Sequence, residues 1–257
     1  MNRINKLFSE KKNNILSVFF TAGYPELNST ETIIESLENS GADLIEIGIP
    51  FSDPMADGPV IQKSSQVALD NGMSLNLLFD QLKDIRKKVN IPLIMMGYLN
   101  PVFQFGIENF CKKCNEVGID GLILPDLPIE LFIKEYQDIF RKHNLHNIFL
   151  ISPQTTEERI RLIDSETDGF IYLVAASSIT GAKSGISDKQ IGYFNHIKSM
   201  NLKNPTVIGF GISNKETFET ACKYANGAII GSAFVKALGE EGELDEKVEG
   251  FARNILD

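Results

Sequence analysis

The sequence has few of the residues that bind metals or form disulfides, with three cysteines and three histidines among 257 residues. Cys111 and Cys114 lie in the amphipathic segment GIENFCKKCNEVG, and no second ligand pair stands at the spacing of a zinc site. We expect both to be reduced thiols on a helix. There is no HExxH motif, and the histidines fall on predicted helices or helix ends, away from the C-terminal ends of the strands, so a metal site is not expected.

Long apolar runs and basic stretches are also missing. No apolar run approaches the roughly 18 residues that a membrane span requires. The N-terminal segment MNRINKLFSEKKNN lacks the apolar core of a signal peptide. A formal net charge of −9 without a basic stripe disfavours nucleic-acid binding. These absences predict a cytoplasmic protein that binds neither membranes nor nucleic acid.

The sequence is rich in short apolar runs that alternate with longer helical patterns. Eight runs are predicted as strands, at 15–22, 43–49, 91–98, 120–126, 147–152, 169–175, 206–211 and 227–231. Helical segments such as IELFIKEYQDIFRKH, with apolar residues three and four apart, separate them. Eight βα units predict a closed (β/α)8 barrel, the TIM barrel, as a single domain over residues 1–257. An open doubly wound sheet is the alternative, but no GxGxxG follows the first strand.

Two further short helices are predicted outside these units. One lies in the first dozen residues, at the bottom of the barrel, and the other is GSAFVKAL after the eighth strand.

Glu46 interrupts a run of leucine and isoleucine in the second strand. The two-residue period of a strand turns its isoleucines toward the helices and Glu46 into the barrel. Burial raises the pKa of a carboxyl toward the range useful for proton transfer. A structural ion pair is the alternative, but the other predicted strands carry no lysine or arginine. The missing strand lysines also argue against a Schiff-base mechanism.

The loop after the second strand carries Asp53 and Asp57 among prolines that stiffen it. Aspartate is also a common turn residue, so either side chain alone can be explained by turn formation. Above Glu46, however, they form a candidate pair of carboxylates with separate roles.

A phosphate site is predicted after the seventh and eighth strands, where barrels commonly bind phosphate. Gly211, Gly231 and Ser232 would supply backbone N–H groups and a hydroxyl, although the glycines alone also suit tight turns. The loop SSITGAKSGISDK (177–189) is long for such a connection and is predicted as a lid, with Thr180 and Gly181 near the ligand. An ordinary flexible connection is the alternative. The residues alone therefore predict a metal-free enzyme acting on a small phosphorylated molecule.

The stretch IEIGIPFSDPMADG resembles the signature of the tryptophan synthase α subunit family. FFTAGYP, YLNPVFQFG, PDLP, ITGAKSG, GFGIS and GSAFVK follow the same family in the same order, so the resemblance covers the whole chain. It implies a (β/α)8 lyase of tryptophan biosynthesis. That enzyme cleaves indole-3-glycerol phosphate to indole and glyceraldehyde 3-phosphate by a retro-aldol reaction without a cofactor.

The resemblance also implies roles for particular residues. Glu46 matches the general acid–base, and Asp57 the carboxylate that faces the indole N–H. Phe19, Tyr172 and Leu99 match residues that line the indole pocket. The phosphate site is matched by Gly181, Gly211, Gly231 and Ser232. Thr180 would contact Asp57 when the lid closes.

The resemblance further implies a partner, a β subunit that carries pyridoxal phosphate in an α2β2 complex and receives the indole. Asp53 falls on the loop that couples the two sites.

Two rival hypotheses remain. Another phosphate-binding barrel, such as indole-glycerol-phosphate synthase or a sugar-phosphate epimerase, would show lysines, or histidines and metal-binding carboxylates, at its strand ends. A non-catalytic subunit that only activates a partner would not need Glu46 and Asp57.

Overall fold

The computed structural model of the protein describes residues 1–174, 187–209 and 211–257. Its strands are β1 Ile15–Thr21, β2 Leu44–Gly48, β3 Leu93–Met96, β4 Gly121–Ile123, β5 His146–Asn147, β6 Phe149–Ile151, β7 Ile171–Val174, β8 Thr206–Gly209 and β9 Gly227–Ile230. They form one sheet in which every pairing is parallel. Most of the predicted lid loop, with Thr180 and Gly181, lies outside the described residues.

The helices follow the strands in alternation. They are α1 Arg3–Glu10, α2 Ser29–Asn39, α3 Pro59–Asp70, α4 Leu75–Leu82, α5 Leu99–Phe105, α6 Ile107–Val117, α7 Ile129–Leu131, α8 Gln137–Lys142, α9 Glu157–Glu166, α10 Asp188–Ser199, α11 Lys215–Cys222, α12 Ser232–Leu238 and α13 Leu244–Leu256. A π-helical segment, Phe132–Tyr136, joins α7 to α8. In the described part of the chain, no helix has the length and apolar character needed to cross a bilayer.

The sheet closes into a barrel because β5 and β6 are two parts of one strand. Only Ile148 separates them; β5 pairs with β4, and β6 pairs with β7. They stand at the two ends of the strand order β5-β4-β3-β2-β1-β9-β8-β7-β6. The predicted fifth strand therefore joins both edges of the sheet, and the predicted TIM barrel is confirmed.

The third and fourth predicted strands end at least two residues earlier than the sequence predicted. The third, predicted over 91–98, is Leu93–Met96, and α5 already begins at Leu99. The fourth, predicted to residue 126, ends at Ile123, shortly before Pro125. Proline has no N–H to donate to a neighbouring strand, which limits the ladder there.

Apolar side chains form two layers, one outside the sheet and one inside it. Ile45 and Ile47 belong to the layer between sheet and helices, whereas Leu44 belongs to the cluster that fills the barrel. The alternation predicted for β2 is therefore present. Ile4 and Phe8 of α1 join the inner cluster, so the predicted N-terminal helix plugs the bottom of the barrel.

A buried carboxylate ties the bottom of the barrel together. Asp120 is 2% exposed and accepts hydrogen bonds from Arg86 Nη2 at 2.6 Å, Arg3 Nη1 at 3.0 Å and the Leu93 N–H at 3.0 Å. Its own backbone carbonyl accepts from Asn2 Nδ2 at 2.8 Å. The N-terminal segment, the turn before β3 and the start of β4 thus share one network.

Replacing Asp120 with Ala should lower the free energy of unfolding by about 3 kcal/mol, because it leaves the buried Arg86 guanidinium without its charge partner. Urea unfolding measures this change. Asp84→Ala is the matched control, since Asp84 pairs with Lys87 at the surface, and it should leave the stability unchanged. Equal effects of the two substitutions would contradict the assignment of the network as a structural anchor.

Candidate active site

A cavity lies at the C-terminal ends of the strands, where barrel active sites are found. Its wall, in the described part of the chain, consists of Phe19, Glu46, Asp57, Gly58, Ile61, Met96, Tyr172, Gly211, Ile212, Ile229, Gly231 and Ser232. Seven of these were predicted as site residues from the sequence. Strands and loops far apart in the chain therefore meet where the sequence placed the chemistry.

Glu46 is the most deeply buried group of the cavity wall. Its side chain is fully buried, and Oε1 accepts a hydrogen bond from Ser17 Oγ at 2.8 Å. Oε2 has no hydrogen-bond partner within the described part of the chain. Within the described residues, no lysine or arginine forms an ion pair with Glu46.

Burial is the main influence on the pKa of Glu46. It raises the pKa from 4.5 to about 8, and the hydrogen bond from Ser17 opposes the rise. A carboxyl with this pKa holds its proton at neutral pH and can still release it, which suits a general acid–base.

Asp57 is half-buried at the rim of the cavity, in the loop between β2 and α3. Tyr98 Oη donates to Asp57 Oδ2 at 2.9 Å and accepts from the Ala56 N–H at 3.0 Å. Its ring centroid lies 5.1 Å from that of Phe51. Partial burial raises the pKa of Asp57, and the hydrogen bond from Tyr98 opposes this. Tyr98 thus fixes the loop that carries Asp57, a role that sequence reasoning missed.

Two glycines make room for the aromatic residues of the cavity. A Cβ on Gly48 would overlap the Phe19 ring, and a Cβ on Gly209 would overlap the Tyr172 hydroxyl. The pKa of Tyr172 is raised well above its usual value, by burial first and then by the charges of Glu46 and Asp57. The absence of two side chains therefore lets both aromatic residues pack closely against the barrel strands in the cavity wall.

The residues predicted for phosphate line the opposite part of the same wall. Ser232 begins α12, and Gly231 precedes it. Gly211 has φ +78°, and no described heavy atom lies within 4 Å of the place where its Cβ would stand. The backbone at Gly211 is therefore open to close approach by a ligand.

Other predicted residues lie elsewhere. Leu99 is beyond the end of β3, where it starts α5 and packs against the outer apolar layer. The β3 residue in the cavity wall is Met96, because the strand ends there. Asp53 is exposed in the loop after β2, outside the cavity, and Ser52 Oγ donates to its Oδ2 at 2.6 Å. Thr180 and Gly181 lie outside the described residues.

Met96, Ile61, Ile212 and Ile229 were missed because apolar residues that line a cavity look the same in the sequence as core residues. A metal-binding group of three histidine, cysteine, aspartate or glutamate side chains is absent from the described ranges.

The known proteins to which this chain is similar in sequence belong to one family. The family model "Tryptophan synthase alpha chain" matches residues 5–255. The tryptophan synthase alpha chain of Flavobacterium psychrophilum is 62% identical over 242 residues, 94% of this chain and 95% of that one. The corresponding protein of Flavobacterium johnsoniae is 59% identical over 255 residues, 99% of this chain and 100% of that one.

Solved structures give the same result. The tryptophan synthase complex of Pyrococcus furiosus contains a chain with a TM-score of 0.87 and 35% identity, covering 96% of this chain and 99% of that chain. Tryptophan synthase subunit alpha of Legionella pneumophila has a TM-score of 0.88 and 32% identity, covering 99% of this chain and 97% of that chain.

The raised pKa of Glu46 makes the stability depend on pH. As the pH rises, the unfolded chain releases the Glu46 proton first, so the native state loses stability from about pH 4.5 to about pH 8. Glu46→Gln removes this group, and its stability relative to the unchanged protein should grow over that interval by on the order of 4 kcal/mol.

Urea unfolding near both ends of the interval measures this difference. Glu10→Gln is the control, because Glu10 is an exposed glutamate on α1, and substitution of an exposed side chain should change the stability little at both pH values. A Glu46→Gln effect of the same size at both pH values would show that Glu46 ionises normally.

Proposed function

This chain belongs to the tryptophan synthase alpha chain family, and on that premise we propose that Glu46 and Asp57 are its catalytic carboxylates. The activity of the family is the cleavage of indole-3-glycerol phosphate to indole and glyceraldehyde 3-phosphate, so the protein is a lyase of tryptophan biosynthesis. The observation that carries the residue assignment is a fully buried Glu46 carboxyl in the cavity wall, without a described cation beside it.

Glu46 acts as both acid and base in the proposed mechanism. Its neutral carboxyl gives a proton to C3 of the indole ring, and the ring electron pair forms the new C–H bond. The resulting carboxylate takes the proton of the adjacent glycerol hydroxyl. The C–C bond then breaks, its electron pair returns to the ring, and the hydroxyl carbon becomes the aldehyde. A pKa of about 8 lets one group perform both transfers near neutral pH.

Asp57 stabilises the intermediate in which the ring is an indolenine. That intermediate carries positive charge at the ring nitrogen, and an ionised carboxylate beside the N–H offsets it. Asp57 is less buried than Glu46 and accepts a hydrogen bond from Tyr98. The hydrogen bond stabilises its ionised form, which gives the two carboxyls different environments and different roles.

The rest of the cavity suits the two ends of the substrate. The apolar wall for the indole is formed by Phe19, Tyr172 and Met96. Met96 contributes to the indole pocket in place of the expected Leu99. Gly211, Gly231 and Ser232 offer backbone N–H groups and a hydroxyl for the phosphate. Gly181 would add to the phosphate site, and Thr180 would contact Asp57 on lid closure; both assignments rest on the resemblance of ITGAKSG to the family.

The partner is the tryptophan synthase β subunit, in an α2β2 complex that receives the indole. Pyridoxal phosphate belongs to that subunit, and the chemistry on this chain uses no cofactor. Asp53 lies on an exposed loop beside Met55, which is 91% exposed. We assign this loop to communication with the partner. We further propose that the chain is one barrel domain that acts in the cytoplasm.

Substitution of the carboxylates tests the proposal. Glu46→Gln should lower kcat for indole release by about 10²–10⁴-fold, because it removes the proton carrier. Asp57→Asn should lower kcat by about 10²-fold, because it removes the charge that faces the indolenine. Indole release from indole-3-glycerol phosphate measures both effects.

Asp70→Asn, an exposed carboxylate at the end of α3, is the control and should match the unchanged chain. Each variant should still activate the β subunit in tryptophan synthesis from added indole. Full cleavage by Glu46→Gln would overturn its catalytic role. Activation of the β subunit by an unchanged chain that releases no indole would favour a purely regulatory subunit.

A further inference from the structure

Ser17 contacts the catalytic carboxyl from beneath. It lies on β1, is 1% exposed, and its Oγ is 2.8 Å from Glu46 Oε1. In the β1–β2 register it stands opposite Leu44, two residues before Glu46. Ser17 is not part of the cavity wall in the described residues. A bound substrate would therefore touch Glu46 and not Ser17.

We propose that Ser17 is a positioning residue that binds Oε1 of Glu46 and leaves Oε2 as the oxygen that carries the reacting proton. The inference rests on the proposed catalytic role of Glu46 and adds a residue that the sequence did not single out.

The chemistry of the two oxygens supports this assignment. The Ser17 hydroxyl donates to Oε1, the one acceptor found for it among the described residues. A proton on Oε1 would make that oxygen a weaker acceptor for the serine hydroxyl, whereas a proton on Oε2 keeps the full hydrogen bond in both ionisation states of Glu46. Oε2 is buried and has no hydrogen-bond partner among the residues that the structure describes. A buried oxygen that lacks a protein partner is the one a ligand can use.

The surroundings of Glu46 give Ser17 a second effect. Among the described residues, the titratable groups that share the cavity wall with Glu46 are Tyr172 from β7 and Asp57 from the loop after β2. Of the neighbouring strands, β3 offers Ile94 and Met96, which are apolar. The Ser17 hydrogen bond lowers the pKa of Glu46 against the larger effect of burial. Ser17 therefore helps the carboxylate form, which must exist briefly between the two proton transfers.

Titration of Glu46 in the free protein tests the proposal without relying on activity. The chain is labelled with glutamate carrying ¹³C at the side-chain carboxyl, and the Glu46 signal is identified by its loss in Glu46→Gln. Ser17→Ala should raise the titration midpoint by about one pH unit, the effect of losing one hydrogen bond to a carboxylate. Ser17→Thr, which keeps the hydroxyl, should restore the midpoint.

Ser36→Ala is the matched control, because Ser36 is another largely buried serine whose hydroxyl donates to a carboxylate, that of Asp245, far from the cavity. It should leave the Glu46 midpoint unchanged. An unchanged midpoint in Ser17→Ala would overturn the proposal.

Kinetics separate this proposal from the proposed function. Ser17→Ala should lower kcat for indole release roughly tenfold through misplacement of the carboxyl, with KM unchanged, and Ser17→Thr should recover kcat. If Glu46→Gln remains active, the proposed function fails whatever Ser17 does. If Glu46→Gln is inactive and Ser17→Ala keeps the midpoint and kcat of the unchanged chain, only the positioning role is overturned.

Discussion

The Glu46 carboxyl lies inside an apolar barrel, and the described residues bring no cation to it. Burying an ionised carboxylate there would be costly, so the group keeps its proton at neutral pH. Asp120 at the opposite end shows the contrast, since two arginines pair with it and make it a structural anchor. A paired carboxylate thus stabilises the fold at one end of the barrel, and a carboxyl without a described charge partner lies in the cavity at the other.

Several features of the barrel maintain the environment of Glu46. Ile4 and Phe8 of α1 close the bottom of the interior. Gly48 and Gly209 have no side chains, and this lets the rings of Phe19 and Tyr172 pack against the upper interior. The result is an apolar space beside the carboxyl, large enough for a ring and bounded above by the loop that carries Asp57. In this way, residues that take no part in proton transfer determine the pKa of the residue that does.

The sequence was sufficient to predict the barrel and to place Glu46 and Asp57 at the same end of it, for physical reasons. The period of two in a strand places Glu46 inside the barrel, and the missing strand lysines and arginines leave it without an ion pair. The cavity contacts of Met96 and the hydrogen bonds of Ser17 and Tyr98 could not be predicted in the same way. They depend on where β3 ends and on the register between β1 and β2, and neither is visible in composition or period. Leu99 lies outside the cavity for this reason, since β3 ends two residues earlier than predicted and Leu99 starts a helix.

We propose that the protein cleaves its substrate with the protonated form of a buried Glu46. The pH dependence of kcat/KM for indole release by the unchanged chain tests this most directly, because it reports the pKa of an essential acid in the free enzyme. We expect kcat/KM to be high at neutral pH and to decline as the pH rises through about 8, the pKa of Glu46. Activity that increases through that pH would contradict it, because the reaction would then require the carboxylate at the start.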